Sequence, residues 1–157
     1  DGTGPAWLLR AAGRAWAAGA GGTSGVLWGA GLEAAGEALT DTRDVYDASA
    51  VADAVTAFTD AIIELGRAEP GDKTLVDALL PFRDALAEHI AAGSPLTEAW
   101  RMAATSAVSA AKATADLSPK KGRARPLAEK SVGTPDAGAT SLSLIVTALG
   151  ELAPVAG

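Results

Sequence analysis

Apolar residues recur along this chain at three- and four-residue intervals, and strict alternation is almost absent, so the pattern predicts helices throughout. Residues 5 to 19 read as a first helix, with Pro5 suited to its first turn and Trp7, Leu8 and Trp16 as its large apolar groups. Glycines between 21 and 25 break it, and a second helix runs from about Thr23 to Leu39. After a polar link at 40 to 47, a third helix over 48 to 66 presents Val51, Val55, Phe58, Ile62 and Leu65 on one face. Pro70-Gly71 marks a turn. A fourth helix follows from about Lys73 to Ala92, with Asp72 as its N-cap and a stripe of Leu75, Leu79, Phe82, Leu86 and Ile90. Ser94-Pro95 gives a cap and first position for a fifth helix reaching about Leu117, with Leu96, Trp100, Ala103 and Val108 inward. A last helix starts near Asp136 and is expected to bury Leu142, Ile145, Leu149 and Leu152. Six amphipathic helices with mostly short links predict an all-α antiparallel bundle.

Composition changes this picture in a few places. A chain of 157 residues is long enough to bury a core as one domain, residues 1 to 157. With no cysteine there is no disulfide framework, thiolate nucleophile or zinc–thiolate site, which fits a cytoplasmic protein. The net charge of −6, without a basic stripe, argues against a nucleic-acid binder. Residues 15 to 32 carry no charge, but six glycines together with Thr23 and Ser24 interrupt them, which argues against a membrane span.

The chemistry lies at helix boundaries. Gly21-Gly22-Thr23-Ser24-Gly25 combines tight backbone turns with hydroxyls and free amides at a helix start, as anion binding requires. Taken alone it reads first as a glycine-rich helix junction with a Ser/Thr cap. The segment from Gly66 to Thr74 nearly matches a phosphate loop, but Asp72 intervenes before Lys73 and no hydrophobic strand precedes it, so that match is rejected in favour of a capped turn. The third segment, Lys121 to Ser141, is long for a small helical domain. It offers Arg123 as a planar phosphate clamp and the start of a helix at Asp136, Ala137 and Gly138. His89 has no partner pattern, and Asp41, Asp44 and Asp47 suit helix capping better than a metal site.

In combination the three segments are more specific. GGTSG, AEPGDKT about 45 residues later, and then KGR…EKS.G..D.GATS resembles the nucleotide-binding (L) subunit or domain of dihydroxyacetone kinases over nearly the whole chain. The resemblance implies a barrel of eight amphipathic helices, of which six are present, with ATP or ADP held at one end. By position, Thr23 and Ser24 would contact the phosphates, and Gly66 and Leu75 would line the adenosine pocket with Thr74 beside it. Arg123 would pair with the nucleotide, and Asp136, Ala137 and Gly138 would close the site. In that family the L part passes a phosphoryl group to dihydroxyacetone held by a separate K subunit or domain, some members take it from a donor phosphoprotein, and a homodimer is a further expectation.

The chain departs from the family where magnesium is held. The expected D-x-x-x-x-D-x-D pattern has no match in residues 1 to 20, so the Mg2+ ligands, with two helices, are expected upstream of Asp1. Arg125-Pro126, Thr134 and Ala137 replace residues the family prefers. The alternative from another class is a non-catalytic helical module that binds a nucleotide or a partner without the magnesium site. A kinase of the same type acting on a fatty acid is a third, which the KGR…GATS tract disfavours.

Overall fold

The structure is a computed structural model, and it describes residues 4–42, 45–121, 126 and 128–152. Among these residues there are seven α-helices and no strand: α1 (Pro5–Gly19), α2 (Gly22–Leu39), α3 (Ala48–Gly66), α4 (Val76–Ala91), α5 (Leu96–Ala113), α6 (Ala128–Ser131) and α7 (Ala137–Leu152). A 3-10 turn, Thr114–Asp116, extends α5. The all-helical expectation holds, and the chain divides into two compact units, residues 1–67 and 68–157.

In the first unit α1 packs on α2, and α2 on α3. The α1–α2 seam is lined by glycine and alanine. A Cβ on Gly36 would meet the Ala6 carbonyl, one on Gly29 would meet Ala17 and Gly13, and one on Gly25 would meet Ala20. The numbers rise on one helix as they fall on the other, so the pair is antiparallel. The fully buried α1 positions are accordingly Ala6 and Gly13, not the large groups that the apolar pattern selects. Trp7, Leu8 and Trp16 are 40%, 56% and 40% exposed, so these large apolar groups of α1 do not enter the core. Trp16 instead stacks on Trp28 with ring centres 5.3 Å apart, and Trp28 meets the edge of Phe58 at 5.4 Å.

Helix ends in this unit are held by carboxylates. Asp47 accepts from the Ala50 amide at 2.7 Å and caps α3, as its place in the polar link predicts. Gly4, at the N-cap of α1, has no side chain to offer. Asp41 does that work from across the fold, accepting from the Ala6 amide at 3.0 Å while pairing with Arg10 at 3.2 Å. Asp44 lies outside the described residues.

In the second unit α5 packs against both α4 and α7. The α4 stripe is as predicted over Leu75, Leu79, Phe82 and Leu86, which are buried, while Ile90 at its end is half-buried. The other stripes differ. On α5 the buried face is Ala99, Ala103, Ala104, Ala107 and Ala111. On α7 it is Ala139, Leu142, Ser143, Val146 and Gly150, while Leu149 and Leu152 are exposed. Trp100 bridges the helices, its ring edge-on to Phe82 at 4.9 Å and its indole N–H donating to the Val146 carbonyl at 2.8 Å.

Two predicted helix starts move. Helix α4 begins at Val76 because Gly71 and Lys73 adopt left-handed backbone, φ +90° and +59°, which no right-handed helix accommodates. Asp72 therefore caps the turn, not the helix, accepting from the Glu69 amide at 3.0 Å. Helix α5 begins at Leu96 with Pro95 at the cap position and no side-chain cap, so Ser94 has no capping role.

Candidate nucleotide site

Thr23 and Ser24 stand exposed in the first turn of α2, directly after Gly21 and Gly22, whose φ values of +60° and +65° make the corner. Those angles favour glycine, and nothing lies within 4 Å of the position a Cβ on Gly21 would take. Gly66 ends α3 in the same unit, and a Cβ there would lie 3.2 Å from Leu27, one helical turn along α2 from Thr23. The first unit thus brings Gly66 to the end of α2 that carries the two hydroxyls.

The second unit brings together Thr74, Leu75, Asp136, Ala137 and Gly138, from segments some sixty residues apart in sequence. Asp77, in the first turn of α4, folds the turn before it. Its carboxylate accepts from the amides of Gly71 and Thr74, the latter at 2.8 Å. The Thr74 hydroxyl accepts from the Val76 amide at 3.2 Å. Leu75 is buried, and a Cβ on Gly138 would lie 3.3 Å from the Leu75 Cβ, so α7 can start here only with glycine at that position or after a small shift. Asp136 caps α7 by accepting from the Ala139 amide at 2.8 Å. Its own amide donates to the hydroxyl of Thr114, which is 1% exposed and in turn donates to the Ala111 carbonyl. The first turn of α7 is thereby tied to the end of α5 and laid beside Thr74 and Leu75. Ala137 is exposed at its tip.

Burial raises the Asp136 carboxyl above the ordinary carboxylate value; the amides of Ala139 and Gly138 pull it down, nearby Asp77 pushes it up, and Lys73 pulls it down. The net cost of holding this charge in the folded state is fully present above the raised value and is relieved as pH falls through it. Asp136→Ala should destabilise the protein by about 1 kcal/mol at pH 7 through loss of the cap. Asp136→Asn should lose less, since an asparagine oxygen can accept the same amide. Wild type should gain on Asp136→Asn as pH falls from 7 towards 4, because only wild type takes up the proton. Urea unfolding at both pH values checks this; a pH-independent difference would remove Asp136 as the titrating group.

Arg123 lies outside the described residues. Sequence reasoning missed Lys73, Asp77 and Thr114 as parts of this arrangement. For Lys73 and Asp77 the signal was present in the GDKTLVD run, where a lysine follows a glycine turn and an aspartate falls in the next helix's first turn. Thr114 had none beyond its place near the end of an alanine-rich helix.

Among the described residues no group of three or more His, Cys, Asp or Glu is placed to hold a metal ion. Asp72, Asp77 and Asp136 are each committed to backbone amides. The residues described here do not fit a magnesium site. No described helix is long and apolar enough to cross a membrane.

The DAK2 domain model matches residues 1–151. This chain belongs to that family. The DAK2 domain here is 59% identical over 144 residues to a D-erythrulose kinase of Mycolicibacterium smegmatis, covering 92% of this chain and 25% of that protein. It is 54% identical over 142 residues to an L-erythrulose kinase of Pectobacterium atrosepticum, covering 90% and 24%. It is 32% identical over 143 residues to the ADP-binding subunit DhaL of the PEP-dependent dihydroxyacetone kinase of Escherichia coli, covering 91% and 68%. The L-type resemblance read from the three segments therefore holds. The chain spans about a quarter of the length of the two erythrulose kinases.

Proposed function

We propose that this DAK2 domain is the nucleotide-binding part of a kinase for a short-chain ketose. Nucleotide contacts are assigned to Thr23, Ser24, Gly66, Thr74, Leu75, Arg123, Asp136, Ala137 and Gly138. The observation that carries the reading is the convergence of Thr74 and Leu75 with the first turn of α7, tied down through Asp136 and Thr114. A helix start beside a turn of left-handed residues suits a phosphate-bearing ligand. The remaining assignments rest on the family.

The ketose would be held by a K-type subunit or domain, and its hydroxyl would accept the phosphoryl group from ATP, or from a donor phosphoprotein by way of retained ADP. Identities of 59% and 54% to erythrulose kinases, against 32% to the dihydroxyacetone-type subunit, favour erythrulose over dihydroxyacetone. Phosphoryl transfer of this kind is dominated by positioning and charge neutralisation. The resemblance implies magnesium, which the described residues do not fit.

Calorimetry with ADP and a coupled assay with each ketose test the reading. Arg123→Ala should weaken ADP binding by about 1.5–3 kcal/mol, the worth of a charge-assisted hydrogen bond. An unchanged affinity would remove Arg123 from the site. ADP binding by the full-length protein without phosphorylation of either ketose would favour a non-catalytic binding module.

A further inference from the structure

Lys73 is the least expected side chain in the second unit. It is 4% exposed, yet it is a lysine, a residue almost never fully buried without a partner. Its hydrogen bonds go to backbone carbonyls. The ammonium donates to the backbone carbonyl of Leu117 at 3.0 Å and to that of Ser131 at 2.7 Å. These carbonyls stand on the two sides of the segment that leads from the 3-10 turn to α6. Lys73 reaches them from a backbone at φ +59°, a conformation that disfavours any residue with a Cβ by roughly 1–2 kcal/mol. Strain of this kind persists where surrounding contacts demand it.

Other bonds close the same clasp. The Asp72 carbonyl accepts from the Lys120 amide at 3.1 Å, and the Asp72 carboxylate pairs with Lys121 at 3.6 Å. The Gly133 amide donates to the Ala115 carbonyl at 2.8 Å. Within this set the Gly133–Ala115 bond joins the two sides to each other, and the Lys73 ammonium ties both of them to the turn that carries Thr74 and Leu75. Directly after Lys73 come Thr74 and Leu75, and α7 starts at Ala137, four residues after Gly133.

The geometry points to Lys73 as a positioning residue for the nucleotide site. By clipping Leu117 and Ser131 to the turn that carries Thr74 and Leu75, it sets the distance between that turn and the first turn of α7. This rests on the reading of those residues as nucleotide contacts. Lys73 itself need not touch the ligand. Methionine has similar length and no donor, so Lys73→Met leaves the carbonyls of Leu117 and Ser131 without their shared partner.

The test uses the full-length protein, with Lys73→Met and, as a control for loss of stability alone, Leu86→Ala from the core of α4. Hydrogen exchange reads the clasp, and calorimetry with ADP reads the site, both under conditions where circular dichroism shows each variant folded. In Lys73→Met the amides of Lys120, Gly133 and Asp136 should exchange at least tenfold faster and the ADP dissociation constant should rise at least tenfold. Leu86→Ala should hold ADP within twofold of wild type. If Lys73→Met does not fold, Lys73→Gln, which can still donate to one carbonyl, takes its place with the same expectations. Unchanged exchange, unchanged ADP affinity, or an equal loss of affinity in Leu86→Ala would each overturn the proposal. Failure of wild type itself to bind ADP would instead overturn the nucleotide reading, and with it the positioning role, while the exchange data would still read the clasp.

Discussion

Phe82→Ala should remove about 3–5 kcal/mol of stability. Phe82 is 2% exposed and the largest of the fully buried side chains. Its aromatic neighbour is Trp100 of α5, and the buried positions of α5 are alanines, which are too short to fill the space. Its ring also supports Trp100, edge-on at 4.9 Å, and Trp100 in turn holds the Val146 carbonyl of α7. Loss of the ring therefore removes apolar burial, an aromatic pair and the backing of an interhelical hydrogen bond. Domains of this size are stabilised by roughly 5–15 kcal/mol in total, so the variant sits near the edge of folding. Urea unfolding measures the loss. A value below about 1 kcal/mol would mean that α4 and α5 close over the cavity, contrary to a core set by backbone-close alanines. Because Trp100 steadies α7, Phe82→Ala should also loosen the first turn of α7 before global unfolding, read as faster exchange of the Ala139 amide.

How far the sequence alone foretold this fold depends on the size of the buried side chains. Helix α3 begins and ends where its apolar spacing and Asp47 place it, and the α4 stripe is the expected one, because large residues alternate there with charged ones. Periodicity fails where the seam is made of the smallest residues. On α5 hydropathy selects Leu96, Trp100, Ala103 and Val108, yet of these only Ala103 lies among the deepest positions, all of them alanines that let the neighbouring backbones approach. Helix α7 is apolar almost all round, so the pattern allows several faces. The one chosen runs through Ser143 and Gly150, where Trp100 lies 3.0 Å from the place of a Cβ. Within the site, the convergence of Leu75 with Gly138 was legible only through the family. The clasp that holds it depends on a left-handed lysine, and backbone of that kind leaves no mark on hydrophobic spacing.

The same lesson about small residues sets the second large effect. Gly29→Val should cost about 3 kcal/mol, at the upper end of what overpacking a close-packed seam produces. A Cβ on Gly29 would fall 2.7 Å from the Ala17 Cβ and 2.9 Å from the Gly13 carbonyl oxygen. Neither is the movable tip of a side chain, so α1 and α2 must part. Gly29→Ala meets the same atoms with less bulk and gains about 1 kcal/mol of helix propensity, so it should cost less. Gly19→Ala is the counterpart: Gly19 ends α1, nothing stands within 4 Å of its Cβ position, and the change should be neutral or stabilising by up to about 1 kcal/mol. One substitution type, with opposite signs at two positions, separates close approach from propensity. Parting α1 from α2 also moves the corner that carries Thr23 and Ser24. Gly29→Val should therefore bind ADP more weakly at temperatures where it remains folded, whereas Gly19→Ala should not. Superimposable melting curves for Gly29→Val and wild type would mean that the seam yields freely, and the glycines would then have no part in holding those hydroxyls in place.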